Sequence, residues 1–261
     1  MEQHTPHYYL KSLPLTDVQF YPITTSTNDD ALAWIRVGVK EPSVVIADQQ
    51  SQGRGRGDHG WVTQPGSSLA FSLILHPTEA EVAYLTRFTA LAALALVKTL
   101  HEFYGIQAEI KWPNDVLLDG KKTAGILVEL QWDGDLPTAI VIGMGVNVNQ
   151  GSNPPDNNTH FPATCIEEVY GLTINRWELL SRIIKAMLDL RSLLPTTQFI
   201  LEWNAHLAFR GRVCPVQHVN GETQVVRIVR VAENGALLVD DLEGKLFEIQ
   251  TGEIGSNNIQ K

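Results

Sequence analysis

Residues 109–149 read EIKWPNDVLLDGKKTAGILVELQWDGDLPTAIVIGMGVNVN. Three apolar runs stand in this stretch, at Glu109–Trp112, Ala124–Gln131 and Thr138–Met144, and tight connections such as Leu118-Asp119-Gly120 separate them. Short runs bounded by Gly, Asp and Pro are strand signals, and their close succession predicts a hairpin-linked set. Pro113 has no amide hydrogen, so the first strand ends there. It ends where Lys111, Asn114 and Asp115 fall together, and Lys122 opens the next strand. A hairpin of this form brings Lys111, Asp115 and Lys122 close to one another.

Outward from that stretch the pattern is α+β. Val18–Ile23, Ser43–Ala47 and Ser68–Leu75 read as further strands. Ser26 or Thr27 is a good N-cap for a short helix whose first turn carries Asp29 and Asp30, where the helix dipole favours negative charge. Apolar residues at steps of three and four from Glu81 to Tyr104 predict one helix closed by Gly105. A second runs from Arg176 to Leu194, with Asn175 and Glu178 as a capping box and Pro195 as its stop. Residues 1–18 are expected to be a loosely ordered lead-in and Gln150–Asn158 a mobile surface loop. From about Arg210 the texture changes to short alternating strands, Val213–His218, Gln224–Val231, Ala236–Asp240 and Leu246–Gln250, with turn glycines between them. That spacing predicts a small antiparallel barrel. The expected organisation is a lead-in (1–18), a large unit (19–209) and a small C-terminal β unit (210–261).

The chain has 261 residues, enough for such a division, and its 44% hydrophobic content suits a packed core. Lysine and arginine total 20 against 29 acidic residues, a net charge of −9. Nucleic acid as main partner is therefore not expected, since duplex binding needs clustered positive charge. Cys165 and Cys214 are the only cysteines and read as small core residues in a reducing compartment. Met1–Lys11 lacks the apolar core of a signal peptide, and Leu91–Val97 is too short to span a bilayer. A cytoplasmic protein without a membrane partner is expected.

Three segments carry chemistry. In Gln50-Ser51-Gln52-Gly53-Arg54-Gly55-Arg56-Gly57-Asp58-His59-Gly60-Trp61, alternating glycines let backbone N–H groups converge on an anion, and two guanidinium groups add permanent charge. Alone, this loop fits a solvated arginine–glycine loop or a weak RNA contact equally well. In the hairpin, the lysines would neutralise an α-phosphate while Asp115 holds magnesium or an incoming amine; an ordinary charged hairpin is the alternative. In Gly143-Met144-Gly145-Val146-Asn147, small residues permit close approach of a planar ligand and Asn147 could meet a base edge, although a strand-terminal turn also fits. Neither GxxxxGK[ST], nor a strand–GxGxxG–helix unit, nor a G-x-S-x-G elbow, nor a HExxH or CxxC metal motif is present. His206 and His218 read as surface or packing residues.

The ordered set Ser26-Thr27-Asn28, GRGRGDHGW, KWPND, KTAGILVE and GMGVNVN resembles the biotin protein ligases over about residues 18–255. The resemblance implies a mixed β-sheet flanked by helices, of the class II aminoacyl-tRNA synthetase and biotin ligase kind, with an SH3-like C-terminal barrel. It implies biotin and MgATP as substrates, a biotinyl-5′-adenylate, and a lysine of a biotin carboxyl carrier protein, from acetyl-CoA carboxylase or a related carboxylase, as acceptor. Ser26, Thr27, Asn28 and Gln50 would line the biotin end, with Gly125 beside them. Gly53, Arg54, Gly55 and Arg56 would close over the ligand, the arginines near its carboxylate and phosphate. Lys122 would bind the carboxylate–phosphate junction and Lys111 the phosphates. Trp61, Asn114 and Asn147 would serve the nucleotide, and Asp115 would hold magnesium or position the amine. Two departures are visible. Gly57-Asp58-His59-Gly60 stands where relatives carry further basic residues, and there is no room for the DNA-binding domain of the repressor-type members. A ligase without transcriptional control is therefore expected, and a sheet-edge homodimer is implied by analogy. Lipoate or octanoate transfer is the alternative chemistry, and an RNA-binding module the alternative class.

Overall fold

A computed structural model describes residues 5–57, 59–154 and 161–255. Asp58 of the glycine loop and the part of the predicted surface loop from residue 155 on lie outside the described residues.

In chain order the elements are α1 (Pro6–Leu10), β1 (Asp17–Thr24), α2 (Thr27–Arg36), β2 (Ser43–Gln50), β3 (Ser68–Leu75) and α3 (Arg87–Tyr104). Then come β4 (Glu109–Lys111), β5 (Asp115–Leu118), β6 (Lys121–Asp133), β7 (Leu136–Asn147), α4 (Ile166–Tyr170), α5 (Arg176–Leu190) and α6 (Thr197–Ala205). The chain ends in β8 (Val213–Gln217), β9 (Thr223–Val231), β10 (Leu237–Asp240), β11 (Leu246–Ile249) and β12 (Glu253–Ile254).

A seven-stranded mixed sheet in the order β1-β2-β3-β7-β6-β5-β4 forms the body. Only β1 and β2 run parallel; the other neighbours are antiparallel. Strand alternation divides the core. Val44, Ile46, Leu73 and Ile142 face the large cluster built with α3 and α5, while Val45, Ile74 and Val141 face the smaller one under α2. β2 and β3 read as near-continuous apolar runs because helices cover both faces.

Three expectations change. The lead-in is not loose: α1 docks on α5, with Leu10 buried and the Ser181 hydroxyl donating to the Tyr9 carbonyl at 2.9 Å. The helix expected over Glu81–Tyr104 is two pieces, a 3-10 turn at Glu79–Tyr84 and then α3. The reason is a capping box, with Thr78 as cap and Glu81 reaching back, that starts its own turn. α5 stops at Leu190 and tightens into a 3-10 turn at Arg191–Leu193, still short of Pro195. Asn175 caps α5 as expected, its Oδ1 accepting from the amides of Trp177 and Glu178.

The C-terminal strands pair as a five-stranded antiparallel sheet, β11-β10-β9-β8-β12, with β11 and β12 at its ends. It is fastened to the body by polar contacts. The buried Arg87 guanidinium donates to the carbonyls of Leu194 and Glu233 at 2.5 and 2.7 Å. Trp112 Nε1 donates to the Gly235 carbonyl at 3.1 Å. Cys165 and Cys214 are free and buried, and burial pushes the Cys214 thiol up to about 11. Among the described residues, no helix is long and apolar enough to cross a membrane.

Candidate active site

Where β6 and β7 pair, Gly125 lies opposite Gly145 and Leu127 opposite Gly143. On the other side β3 sets Ser72 opposite Gly143. The missing side chains leave a floor in the sheet beside the α2 cluster. Asn28, from the first turn of α2, lies on Gly143, and the Trp61 indole lies on Gly145 and against Gly125. A Cβ at Gly143 or Gly145 would overlap these side chains, so close approach requires glycine there.

Around this floor is a cleft of about 340 Å³, within the size range of small-molecule sites. Ser26, Thr27, Asn28, Gln50, Arg54, Gly55, Arg56, Trp61, Asn114, Asp115, Lys122, Gly125 and Asn147 all line it. Residues far apart in sequence converge because α2, the glycine loop and the β5–β6 hairpin meet over the same strand ends. Lys111 and Gly53 stand outside the lining.

At one end the chemistry is mostly neutral. The amide and hydroxyl of Thr27 both donate to Gln50 Oε1, at 2.8 and 3.1 Å. The Ser72 hydroxyl donates to Asn28 Oδ1 at 2.6 Å. Asn28 Nδ2 donates to the Leu127 carbonyl at 3.2 Å and to Glu129 Oε2 at 2.7 Å. Asn28 therefore lines the cleft with both amide hydrogens already held by the protein. Among the described residues, the Ser26 Oγ and Gln50 Nε2 atoms of this end make no hydrogen bond.

The glycine loop differs from the expected anion cradle. The Trp61 amide donates to the Gly53 carbonyl at 2.8 Å and the Gly55 amide to the His59 carbonyl at 2.7 Å, closing a small hairpin. Buried or half-buried amides pair where they can, and here they pair within the loop. Arg54 lines the cleft from its rim. Its guanidinium grips Glu129, at 2.7 and 3.1 Å, and Asp29, at 2.7 Å. Two carboxylates at the rim hold it there. Arg56 reaches across to the second sheet, Nη1 donating to the Gly252 carbonyl at 3.3 Å.

The other end is built from charge. Lys111 and Asp115 pair across β4–β5, and Asp115 lies opposite Gly125 on β6. Lys111 Nζ is 2.9 Å from Asp115 Oδ2 and 2.9 Å from Glu253 Oε1, and its ammonium lies 5.0 Å from the Phe161 ring centroid. Lys122 Nζ is 2.7 Å from Asp115 Oδ1. Burial alone would push the Asp115 carboxyl up; the ammonium groups of Lys111 and Lys122 outweigh it and hold the carboxyl below its usual range. Burial likewise works against the Lys111 charge, but Asp115 and Glu253 hold its ammonium above the usual lysine value.

Two expectations meet a different geometry here. Lys111 is fully buried, with side-chain exposure of 0%, behind Asp115, and does not line the cleft. Lys122, 30% exposed, is the ammonium that faces the cleft. Each oxygen of Asp115 already faces an ammonium, so this carboxylate is not free to take a magnesium ion. Among the described residues there is no cluster of three or more His, Cys, Asp or Glu side chains that could hold a metal ion. A divalent cation placed there would meet two like charges.

Past the lysines, Asn147 Nδ2 donates to the Thr164 carbonyl at 3.2 Å, while its Oδ1 and the Trp61 Nε1 are buried without partners among the described residues. Buried polar atoms left unpaired are uncommon, and a bound planar molecule with matching groups would satisfy them. Asn114 turns back onto its own hairpin, Nδ2 donating to the Ile126 carbonyl at 3.0 Å.

Sequence reasoning missed Ser72, Glu129, Phe161 and Glu253. Glu129 carried a usable signal, since period-two alternation puts it on the same face as Gly125 and Leu127. Nothing local marked Glu253, which acts across the chain.

Residues 20–147 match the profile of the Biotin/lipoate A/B protein ligase family. The chain is 32% identical over 228 residues to the bifunctional ligase/repressor BirA of Bacillus subtilis, spanning 86% of this chain and 70% of that protein. It is 34% identical over 201 residues to the biotin–[acetyl-CoA-carboxylase] ligase of Paracoccus denitrificans, spanning 73% and 79% respectively. Among solved structures, the biotin protein ligase of Aquifex aeolicus in complex with biotin and ATP superimposes with a TM-score of 0.79 at 27% identity, over 92% of this chain and 98% of that one.

Proposed function

The chain belongs to the biotin/lipoate protein ligase family, as a biotin–protein ligase, and on that premise we propose how its cleft performs the reaction. The biotin carboxylate attacks the α-phosphorus of ATP, pyrophosphate leaves, and biotinyl-5′-adenylate forms. The neutral ε-amine of an acceptor lysine then attacks the anhydride carbonyl; AMP leaves and the amine proton is lost. No covalent enzyme intermediate is needed.

Ser26, Thr27 and Gln50 hold the ureido end of biotin. Lys122 lies where the carboxylate and α-phosphate meet and offsets the negative charge that develops between them. Asp115 orients the Lys122 ammonium, and buried Lys111 holds Asp115 in turn. Trp61 and Asn147 take the nucleotide, with the unpaired Oδ1 of Asn147 as an acceptor for an amino group. Magnesium would have to be held by the phosphates of ATP, because Asp115 is committed to the two lysines. Arg56, which already touches Gly252, closes the loop against water. The C-terminal sheet is assigned to the SH3-like barrel of the family, and residues 19–209 to the catalytic unit.

The acceptor is proposed to be a lysine of a biotin carboxyl carrier domain. The acidic balance, −9 overall, supports a role without nucleic acid. The observation that carries the mechanism is the convergence of the Lys122 ammonium, the Thr27–Gln50 pair and the unpaired Trp61–Asn147 atoms on one cleft. Purified protein, ATP and a biotin carboxyl carrier domain test it by mass spectrometry. A mass gain equal to one biotin on a single lysine is expected; labelling by lipoate and not by biotin would overturn the substrate assignment.

A further inference from the structure

Glu129 stands at a junction that the mechanism above does not use. One of its carboxylate oxygens, Oε2, accepts from Asn28 Nδ2 and from Arg54 Nη2, both at 2.7 Å, while Oε1 accepts from Arg54 Nη1 at 3.1 Å. The pairing with Arg54 is bidentate, the geometry in which guanidinium and carboxylate bind best. Asn28 continues the chain inward to Ser72, and Ser72 Oγ lies 2.8 Å from Thr27 Oγ1, which bonds Gln50. A series of polar contacts thus runs from the glycine loop to the polar end of the cleft, the single Ser72 hydroxyl proton being shared between Asn28 Oδ1 and Thr27 Oγ1.

We propose that Glu129 is a positioning residue that couples closure of the glycine loop to occupancy of the biotin end. This rests on the biotin reading of the cleft. Arg54 is the only loop side chain tied to both α2 and β6 among the described residues. Asn28 can present a fixed face to the cleft only while Glu129 and Leu127 hold its Nδ2. Biotin bound against Thr27 and Gln50 stiffens that chain, and the stiffened Glu129 then retains Arg54. Linkage makes the effect reciprocal, so a loop held by Glu129 must in turn favour biotin. Asp29 shares Arg54, but among the described residues its side chain makes no hydrogen bond to the Asn28 or Ser72 side chain, so it steadies the loop without carrying the coupling.

Trypsin cuts after Arg54 and Arg56, so the rate of loop cleavage with and without biotin reads the coupling directly. In the wild-type chain biotin is expected to slow cleavage by at least about fivefold, the lower range of measured couplings. In Glu129→Gln the cut should be faster and the ratio should fall to about one, while biotin still binds measurably by calorimetry. Asp29→Asn should also be cut faster yet keep the wild-type ratio, which a merely looser loop in both variants would not produce. Glu129→Asp, which retains the charge, should recover part of the ratio. An unchanged ratio in Glu129→Gln overturns the coupling alone. Absence of any biotin binding by the wild-type chain would instead overturn the reading of the cleft. Should Glu129→Gln fail to fold, the ratios of Glu129→Asp and Asp29→Asn decide: equal ratios reject the proposal.

Discussion

The two ends of the cleft are built from opposite materials. Around Thr27, Asn28 and Gln50 the polar contacts are mostly between neutral groups, with charge confined to Glu129, which accepts from Asn28, and to Asp29 and Arg54 at the rim. Around Lys122, an ammonium, a buried carboxylate and a second, fully buried ammonium follow in series and end at Glu253 of the other sheet. A ureido-like group is recognised by fixed donors and acceptors, whereas a developing phosphate charge needs a counter-charge that does not have to reorganise. Neutral bonds tolerate loss of one partner better than a buried ion pair does, because an orphaned charge has no water to return to. The difference can be tested from both sides.

The largest effect belongs to the charged end. Asp115→Asn leaves Lys111 buried with Glu253 alone, and should cost about 3–5 kcal/mol of stability in urea denaturation. The pH dependence should change with it. The lowered Asp115 carboxyl adds stability that is present above the ordinary aspartate value of about 4 and is lost as pH falls through its lower native value. The raised Lys111 ammonium adds stability that is present below about 10.4 and is lost as pH rises through its higher native value. Thermal melts should therefore weaken at both extremes in the wild-type chain, and Asp115→Asn should show a flatter acid side.

Next comes Lys122→Ala. Lys122 is partly exposed and its strand is held by neighbours on both sides, so the fold should survive. Pyrophosphate release should fall about 10²–10³-fold, the range for removing one preorganised stabilising group. Release at the wild-type rate would break the contrast by showing that the cleft's ammonium is not the working charge.

At the neutral end, Ser72→Ala removes the donor to Asn28 Oδ1 and should cost about 1–3 kcal/mol, read as weaker biotin binding with the KM for ATP unmoved. A matching loss in ATP affinity would mean that the two ends are not separable. The smallest effect should come from Arg56→Gly, which breaks the 3.3 Å bond to Gly252. Adenylate formation should continue, while labelling of bystander lysines in added albumin rises severalfold.

Much of the body was legible in the chain because its signals are local. β3 was read at Ser68–Leu75, where the structure has it, because eight consecutive buried residues leave no other period to fit. The nearness of Lys111, Asp115 and Lys122 followed from Pro113 and Asp119-Gly120, but β5, the four-residue strand that carries Asp115 between β4 and β6, was not read. α4 and α6 escaped notice, each shorter than ten residues; α4 starts from Cys165 without a side-chain cap, and the Thr196 cap of α6 stands alone as a signal. α1 escaped because five residues become a helix only when α5 is there to cover Leu10.

The roles inside the cleft divide in the same way. Residue types and their order determined which side chains would gather: glycines where two strands must admit another group, a lysine at a hairpin start, amides beside a helix cap. Which of them face the ligand was decided only by tertiary packing. Lys111 and Lys122 look alike in the sequence; Glu253, more than a hundred residues away, makes one a buried strut, and the open cleft leaves the other available. Arg54 and Arg56 look alike as well, until Glu129 and Gly252 draw them to opposite sides. A charge's function depends on which counter-charges surround it and how much water it keeps, and both are properties of the folded arrangement rather than of the residue.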